Sequence, residues 1–236
     1  MKITKYPAEG RGVGDIAWLR SRFSFSFARY YNPARMGFGA LRVLNDDTIA
    51  PANGFGMHEH DNMEIVTLVT EGILEHKDSE GHGGTLRADD VQVMSAGSGI
   101  AHSEINPSEE ETLTLFQLWI ETKERGIKPR YDQKHFEFHP NTLTVVASGD
   151  GDHGALYIHQ DARVMVGSFA SGGKHTHIIP AGRGIFALAT EGTFHISTEA
   201  HVETLENRDA VEITDAHSVT IETATGGKVL VIETFL

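Results

Sequence analysis

The stretch GFGMHEHDNMEIVTLVTEG, residues 54–72, decides how this chain is read. In an extended strand side chains alternate with period two, so His58 and His60 point to the same side. Their Cα atoms then stand about 6.5–7 Å apart at a rise of ~3.3 Å per residue. Two imidazoles can converge from that separation onto one ion at about 2.0–2.1 Å.

The same spacing returns forty-odd residues later in MSAGSGIAHSEIN, residues 94–106, as His102 and Glu104. Ala96-Gly97-Ser98-Gly99 lies just before it, where the backbone must turn and glycine tolerates positive φ. An isolated His-x-His in a His-rich chain is most often surface or core histidine, and Glu104 alone would be a solvated edge residue. Two period-two pairs on separate β segments are a stronger pattern. If both strands line one barrel interior, the site is three imidazoles and one carboxylate: His58, His60, His102 and Glu104.

The surrounding sequence is written for strands. Val91 and Val93 alternate with Gln92 and Met94, and Val219 and Ile221 alternate with Thr220 and Glu222. Residues 112–120, TLTLFQLWI, are apolar on both faces, which suits a strand sandwiched within a core. Helical periodicity is scarce. The charged, Pro-containing residues 121–139 read as short helical or irregular structure connecting two halves. A weak internal repeat supports two halves. Thr70-Glu71-Gly72 and Val91 recur 120 residues on as Thr190-Glu191-Gly192 and Val211, and His58-x-His60 recurs 117 on as His175-x-His177. The second half offers no second His-x-Glu, and His217 precedes its strand in what reads as a turn. Two histidines rarely hold a catalytic ion unaided, so His175 and His177 read as a degenerate copy.

Composition narrows the chemistry. With no cysteine, any metal must be held by nitrogen and oxygen, and the chain suits a reducing cytoplasm. The formal charge of −13 opposes nucleic-acid binding. No run approaches the ~18 apolar residues of a membrane span, and no apolar signal segment opens the chain. Fourteen histidines exceed what one site needs, so most have ordinary roles. A set of three nitrogens and one oxygen suits Fe(II), Mn, Co, Ni, Cu or Zn and disfavours Ca and Mg. Ligand type alone does not choose among them.

Taken together, these segments resemble the cupins. His58, His60, Glu64 and Gly72 follow the first cupin motif with one extra residue before the glycine, and Gly99, His102 and Asn106 follow the second. Asp90 and Gly97 stand where that second motif usually has Gly and Pro. The chain is closer to the pirins of the bacterial quercetin 2,3-dioxygenase-like type. RYYNPARMGFGALRVLNDD (29–47), the two histidine segments, RYDQKHF (130–136) and YIHQD (157–161) carry that likeness, which is strongest over residues 15–135.

The resemblance implies an all-β bicupin: two tandem β-barrel (cupin, jelly-roll) domains with few short helices. Residues 1–130 would form the metal-binding domain and 131–236 the degenerate one. It assigns His58, His60, His102 and Glu104 as ligands of one divalent metal, iron by preference. Glu64, the generic cupin ligand position, is left a structural or supporting role, such as orienting a ligand histidine. The implied activity is cleavage of quercetin-like flavonols by O₂, with release of carbon monoxide and a depside. Glu104 is the catalytic base in that reading, and Phe55 and Met57 could flank a flat ligand, although such residues are more often plain core. The alternative is a non-enzymatic, iron-linked pirin that senses redox state and binds an unidentified protein partner. A cupin isomerase or epimerase, needing an acid–base pair without O₂, ranks lower because it leaves the pirin-like segments unexplained.

Overall fold

The computed structural model describes residues 2–151 and 154–236. The helical element that lies wholly within them is a 3-10 turn at Ala8–Gly10. The first half contains β1 (Lys2–Tyr6), β2 (Gly12–Val13), β3 (Leu19–Phe23), β4 (Leu41–Ile49), β5 (Gly54–His60), β6 (Met63–Glu71), β7 (Ile73–Asp78), β8 (Gly83–Arg87), β9 (Asp90–Ser95), β10 (Ile100–Ile105) and β11 (Leu113–Glu121). The second contains β12 (Arg130–His135), β13 (Thr142–Ser148), β14 (Leu156–Tyr157), β15 (Ala162–Phe169), β16 (Lys174–Ile178), β17 (Arg183–Gly192), β18 (Phe194–Ser197), β19 (Val202–Leu205), β20 (Ala210–Thr214), β21 (Ser218–Glu222) and β22 (Gly227–Phe235).

Each half builds a seven-stranded and a four-stranded sheet. The first pair runs β12-β9-β6-β11-β4-β3-β2 and β5-β10-β7-β8; the second runs β1-β20-β17-β22-β15-β13-β14 and β16-β21-β18-β19. The order β9-β6-β11-β4 is matched by β20-β17-β22-β15, so the repeat seen in the sequence is a repeat of topology. The two expected barrels are jelly-roll-like cupin units whose sheets do not close. Gly72 and Gly192, from the two Thr-Glu-Gly copies, take φ of +80° and +85°. A Cβ on either would stand 2.5 Å from the Thr112 carbonyl oxygen or 2.4 Å from that of Gly226, so no other residue fits there.

Residues 121–139 depart from expectation. Arg130–His135 form a regular strand, β12, antiparallel to β9. Its polar sequence hid it, because an edge strand needs few apolar side chains. The opening strand β1 makes the converse move and pairs with β20 of the second half. Each half therefore contributes its first strand to the other half's large sheet. We propose 1–130 and 131–236 as the division along the chain, with one strand traded each way.

The largest apolar core lies between the two large sheets. Val66, Leu68, Phe116, Leu118 and Ile120 pack there against Val164, Phe186, Leu188, Leu230 and Ile232. Leu113 and Leu115, on the opposite face of β11, meet Leu74 and Leu86 of the small sheet. That is why residues 112–120 are apolar on both sides. Burying each such side chain contributes about 1.5–3 kcal/mol, so the two halves are held by the same force that fills each of them. Among the described residues no helix is long and apolar enough to cross a membrane.

Candidate metal centre

The site forms where the small sheet of the first half faces its large sheet. β5 and β10 pair with His102 opposite His58 and Ile100 opposite His60. The ring centroids of His58, His60 and His102 lie 4.4–4.9 Å apart. The turn before β10 is the expected one: Gly99 N–H donates to the Ala96 carbonyl at 3.0 Å. Gly97 at φ +51° passes so close to Ile127 that a Cβ would lie 2.2 Å from its carbonyl oxygen.

Between His102 and Glu104 the register shifts, so that Glu104 stands opposite Phe55. The extra residue lies on β5 and resets the alternation there. Phe55 consequently lines the same cavity as His58 and His60, while Met57 is 62% exposed. Of the two apolar residues singled out in the sequence, Phe55 faces the site and Met57 faces away.

Glu104 is 1% exposed and held by the large sheet. The Gln117 amide donates to Oε2 at 2.7 Å; the Gln92 amide at 2.8 Å and the Thr67 hydroxyl at 3.3 Å donate to Oε1. These residues, with Asn45, form one row across the sheet, directly opposite one another on β4, β11, β6 and β9. Gln117 cannot turn over freely, because the Trp119 indole N–H donates to its carbonyl at 3.2 Å and an indole never accepts. Tyr131 donates to the Gln92 carbonyl at 3.2 Å. Burial raises the Glu104 pKa, and the Gln117 hydrogen bond is the largest opposing influence, with His58, Thr67 and Gln92 adding to it.

His60 and His102 are set up as neutral donors. Burial, and then the neighbouring His58, lowers the pKa of His60 to about 4 and that of His102 to about 2. Nδ1 of His58 lies 2.7 Å from the Gly56 carbonyl, which can only accept, so Nδ1 carries a proton and Nε2 is the nitrogen left for a ligand. His102 has its Nδ1 3.5 Å from Nδ1 of His76, and its Nε2 is buried with no hydrogen-bond partner. His76 is itself buried and stacks on Tyr131 at 4.3 Å. His58, His60 and His102 offer nitrogens that all lie within 4.8 Å of one another. His76, His102 and Glu104 form a second set of the same compactness. Three expected ligands thus share one cluster. The fourth, Glu104, shares a cluster with His102 and with His76, which the sequence reading had passed over. A buried, unpartnered Nε2 beside two further imidazoles and a carboxylate fits a borderline divalent metal.

Glu64 has another task. Its Oε2 accepts from the Ser95 hydroxyl of the neighbouring β9 at 2.7 Å and, from the second half, the His159 backbone N–H at 3.1 Å. Of the two roles expected of it, the structural one is what its contacts show: it bridges the halves and makes no hydrogen bond to a ligand histidine.

Beside the histidines opens a cavity of about 790 Å³. Trp119, Phe55, Phe23, Phe27 and Tyr30 wall it, and Ser21, Asn45 and Asp47 are on its floor. Trp119 meets His60 edge-on at 4.9 Å and Phe27 at 5.3 Å. Burial pushes the Asp47 carboxyl up to about 7, against the hydrogen bond it accepts from Ser21.

The second half has the same frame, but among the described residues its histidine pair gathers no third ligand. His175 stands opposite Ile221 and His177 opposite Val219. Ile221 therefore occupies the position that His102 takes opposite His58. His177 is instead paired with Glu233 at 2.7 Å, and Glu233 with Arg183 at 3.3 Å. Met165, Phe169, Ile185 and Phe194 fill that interior. His217 lies in a bend just before β21, as the sequence suggested.

Residues 7–120 match the Pirin family model, and residues 145–234 match that of the quercetinase C-terminal cupin domain. A quercetin 2,3-dioxygenase of Escherichia coli K12 is 39% identical over 226 residues, 96% of each chain. A putative quercetin 2,3-dioxygenase of Zymomonas mobilis is 40% identical over 235 residues, 98% of each chain. The crystal structure of the bacterial pirin YhhW from Escherichia coli, in complex with nickel(II), superimposes with a TM-score of 0.93 at 38% identity, covering 99% of both chains. With its paired cupin units, its histidine cluster and relatives of this likeness along nearly its whole length, the chain belongs to the pirin family.

Proposed function

We propose that this protein is a metal-dependent dioxygenase that cleaves quercetin-like flavonols with O₂, and that His58, His60, His102 and Glu104 hold its metal. The observation that carries the reading is the histidine cluster opening onto an aromatic-walled cavity of about 790 Å³, a size that suits a flat molecule of three rings. The relatives named quercetin 2,3-dioxygenase support the substrate class, and iron remains our first choice of metal.

When bound, the metal supplies a Lewis acid that promotes ionisation of the flavonol hydroxyl. Glu104 accepts the released proton on its carboxylate, which burial makes a stronger base than an exposed one. Thr67, Gln92 and Gln117 fix that carboxylate, and Trp119 and Phe55 flank the ligand and exclude water. The test is O₂ uptake on a flavonoid panel by anaerobically purified, metal-analysed protein. Glu104→Gln and His102→Ala should lose turnover. Full activity in a metal-free His58→Ala/His60→Ala protein would sink the reading.

The second reading, a redox-sensing interaction protein, gains support from one feature. Val13 and Ile16 on the cavity rim are 60% and 57% exposed, as a partner surface would be. Partner capture that depends on metal state, without O₂ uptake on any flavonol, would favour it.

A further inference from the structure

The cavity floor has polar groups that neither the metal cluster nor the fold uses. Asn45 and Asp47 are each 3% exposed, yet both line the cavity. Asn45 makes no side-chain hydrogen bond among the described residues, and its Oδ1 is buried without a partner. Asp47 is engaged only by the Ser21 hydroxyl, on Oδ1. A buried amide oxygen left unpaired costs stability, typically about 1–3 kcal/mol. An unpaired amide oxygen beside a carboxylate with one hydrogen bond, both on one strand inside a largely aromatic cavity, leaves acceptors open to hydrogen-bond donors.

Their place in the sheet says where those donors sit. Asn45 stands directly opposite Gln117, which holds Glu104, and Asp47 lies one pleat further along β4, opposite Ser21 and Leu115. A ligand reaching Glu104 and the histidines therefore lays its remote end over Asn45 and Asp47. The Asn45 Oδ1 and the Asp47 carboxylate on offer are acceptors, and three carboxylates (Asp15, Asp47 and Glu104) line the cavity against one guanidinium, Arg29. A neutral ring bearing hydroxyls satisfies both residues, whereas an aromatic carboxylate adds an anion to a cavity already lined by acids.

We propose that Asn45 and Asp47 form a hydroxyl-recognising subsite that selects phenolic ligands with hydroxyls on the ring remote from the metal-seeking group. This rests on the flavonol reading above for the ligand's other end. The Asp47 carboxyl, held near neutrality by burial, can act there as donor or acceptor.

The experiment is anaerobic binding to the Zn(II)-loaded protein, followed by quenching of Trp119, one of only two tryptophans. The probes are 3-hydroxyflavone and flavonols of the same skeleton with one and with two hydroxyls on the pendant ring. The expected result is affinity rising about tenfold per hydroxyl, the order of a well-placed hydrogen bond to a buried acceptor. Asp47→Ala and Asn45→Ala should flatten that series while leaving 3-hydroxyflavone binding unchanged. The wild-type series stands as a test by itself if a variant does not fold. A flat wild-type series, equal losses for all probes in the variants, or no quenching by any probe overturns the proposal. Graded binding without O₂ cleavage in the iron form supports the subsite and sinks only the dioxygenase reading.

Discussion

Replacing Gln117 by Glu tests the carboxylate clamp with almost no change of shape. The wild-type amide donates to Glu104 Oε2 at 2.7 Å and is the main influence opposing the burial that raises the Glu104 pKa. The variant puts a second carboxylate in its place. Two unit charges about 4 Å apart repel by about 4 kcal/mol at an effective dielectric of ~20, which is about three pKa units. The pair therefore keeps one proton far above the usual carboxylate range. A pKa raised in the folded state gives stability that is present below the unfolded value and lost as pH climbs through the folded one. Urea unfolding of the metal-free proteins measures this. Variant and wild type should agree to within about 1 kcal/mol near pH 5, and the variant should fall about 4 kcal/mol behind by pH 8. Parallel curves for the two proteins would refute the picture of Glu104 as an ionised acceptor held by donors.

His60 and His102 titrate lower folded than unfolded, to about 4 and about 2. Only the unfolded chain takes up their protons as pH drops below about 6.5, so stability of the metal-free protein should fall from there towards pH 4. His60→Ala should flatten that slope, and an unchanged slope would count against the burial of the cluster. The two histidine pairs should also separate cleanly. His58→Ala/His60→Ala should lose bound metal by elemental analysis, whereas His175→Ala/His177→Ala should keep it, because Ile221 and Val219 face the second pair. Loss of metal from the latter variant would overturn the assignment of one site per chain.

Much of this site was legible because period two is a strict rule. His58, His60 and His102 converge as the spacing required, and the apolar double face of residues 112–120 marked a strand buried between layers. What the sequence hid was mostly the partner row. Thr67, Gln92 and Gln117 each interrupt an apolar run, in IVTLV, VQVM and LFQLW. A polar residue inside a two-sided apolar strand must find a buried partner, and that signal was available. Knowing that all three share one partner needed the register, which a single sequence does not encode. The shift between β5 and β10 was equally invisible, and it alone moved Phe55 onto the ligand side. β12 escaped because edge strands lack the apolar pattern, and His76 because its role depends on contact with His102 from another strand.

The traded strands have a thermodynamic consequence. β1 completes the second half's large sheet and β12 completes the first's, so neither half can melt without stripping an edge from the other. Ligation free energy delivered at His58, His60 and His102 is then shared by the whole chain. Amides in β15 and β22, which touch no ligand, should exchange more slowly with solvent once metal binds. The half that, among the described residues, forms no metal cluster of its own would thus report, through its breathing, on the occupancy of its neighbour.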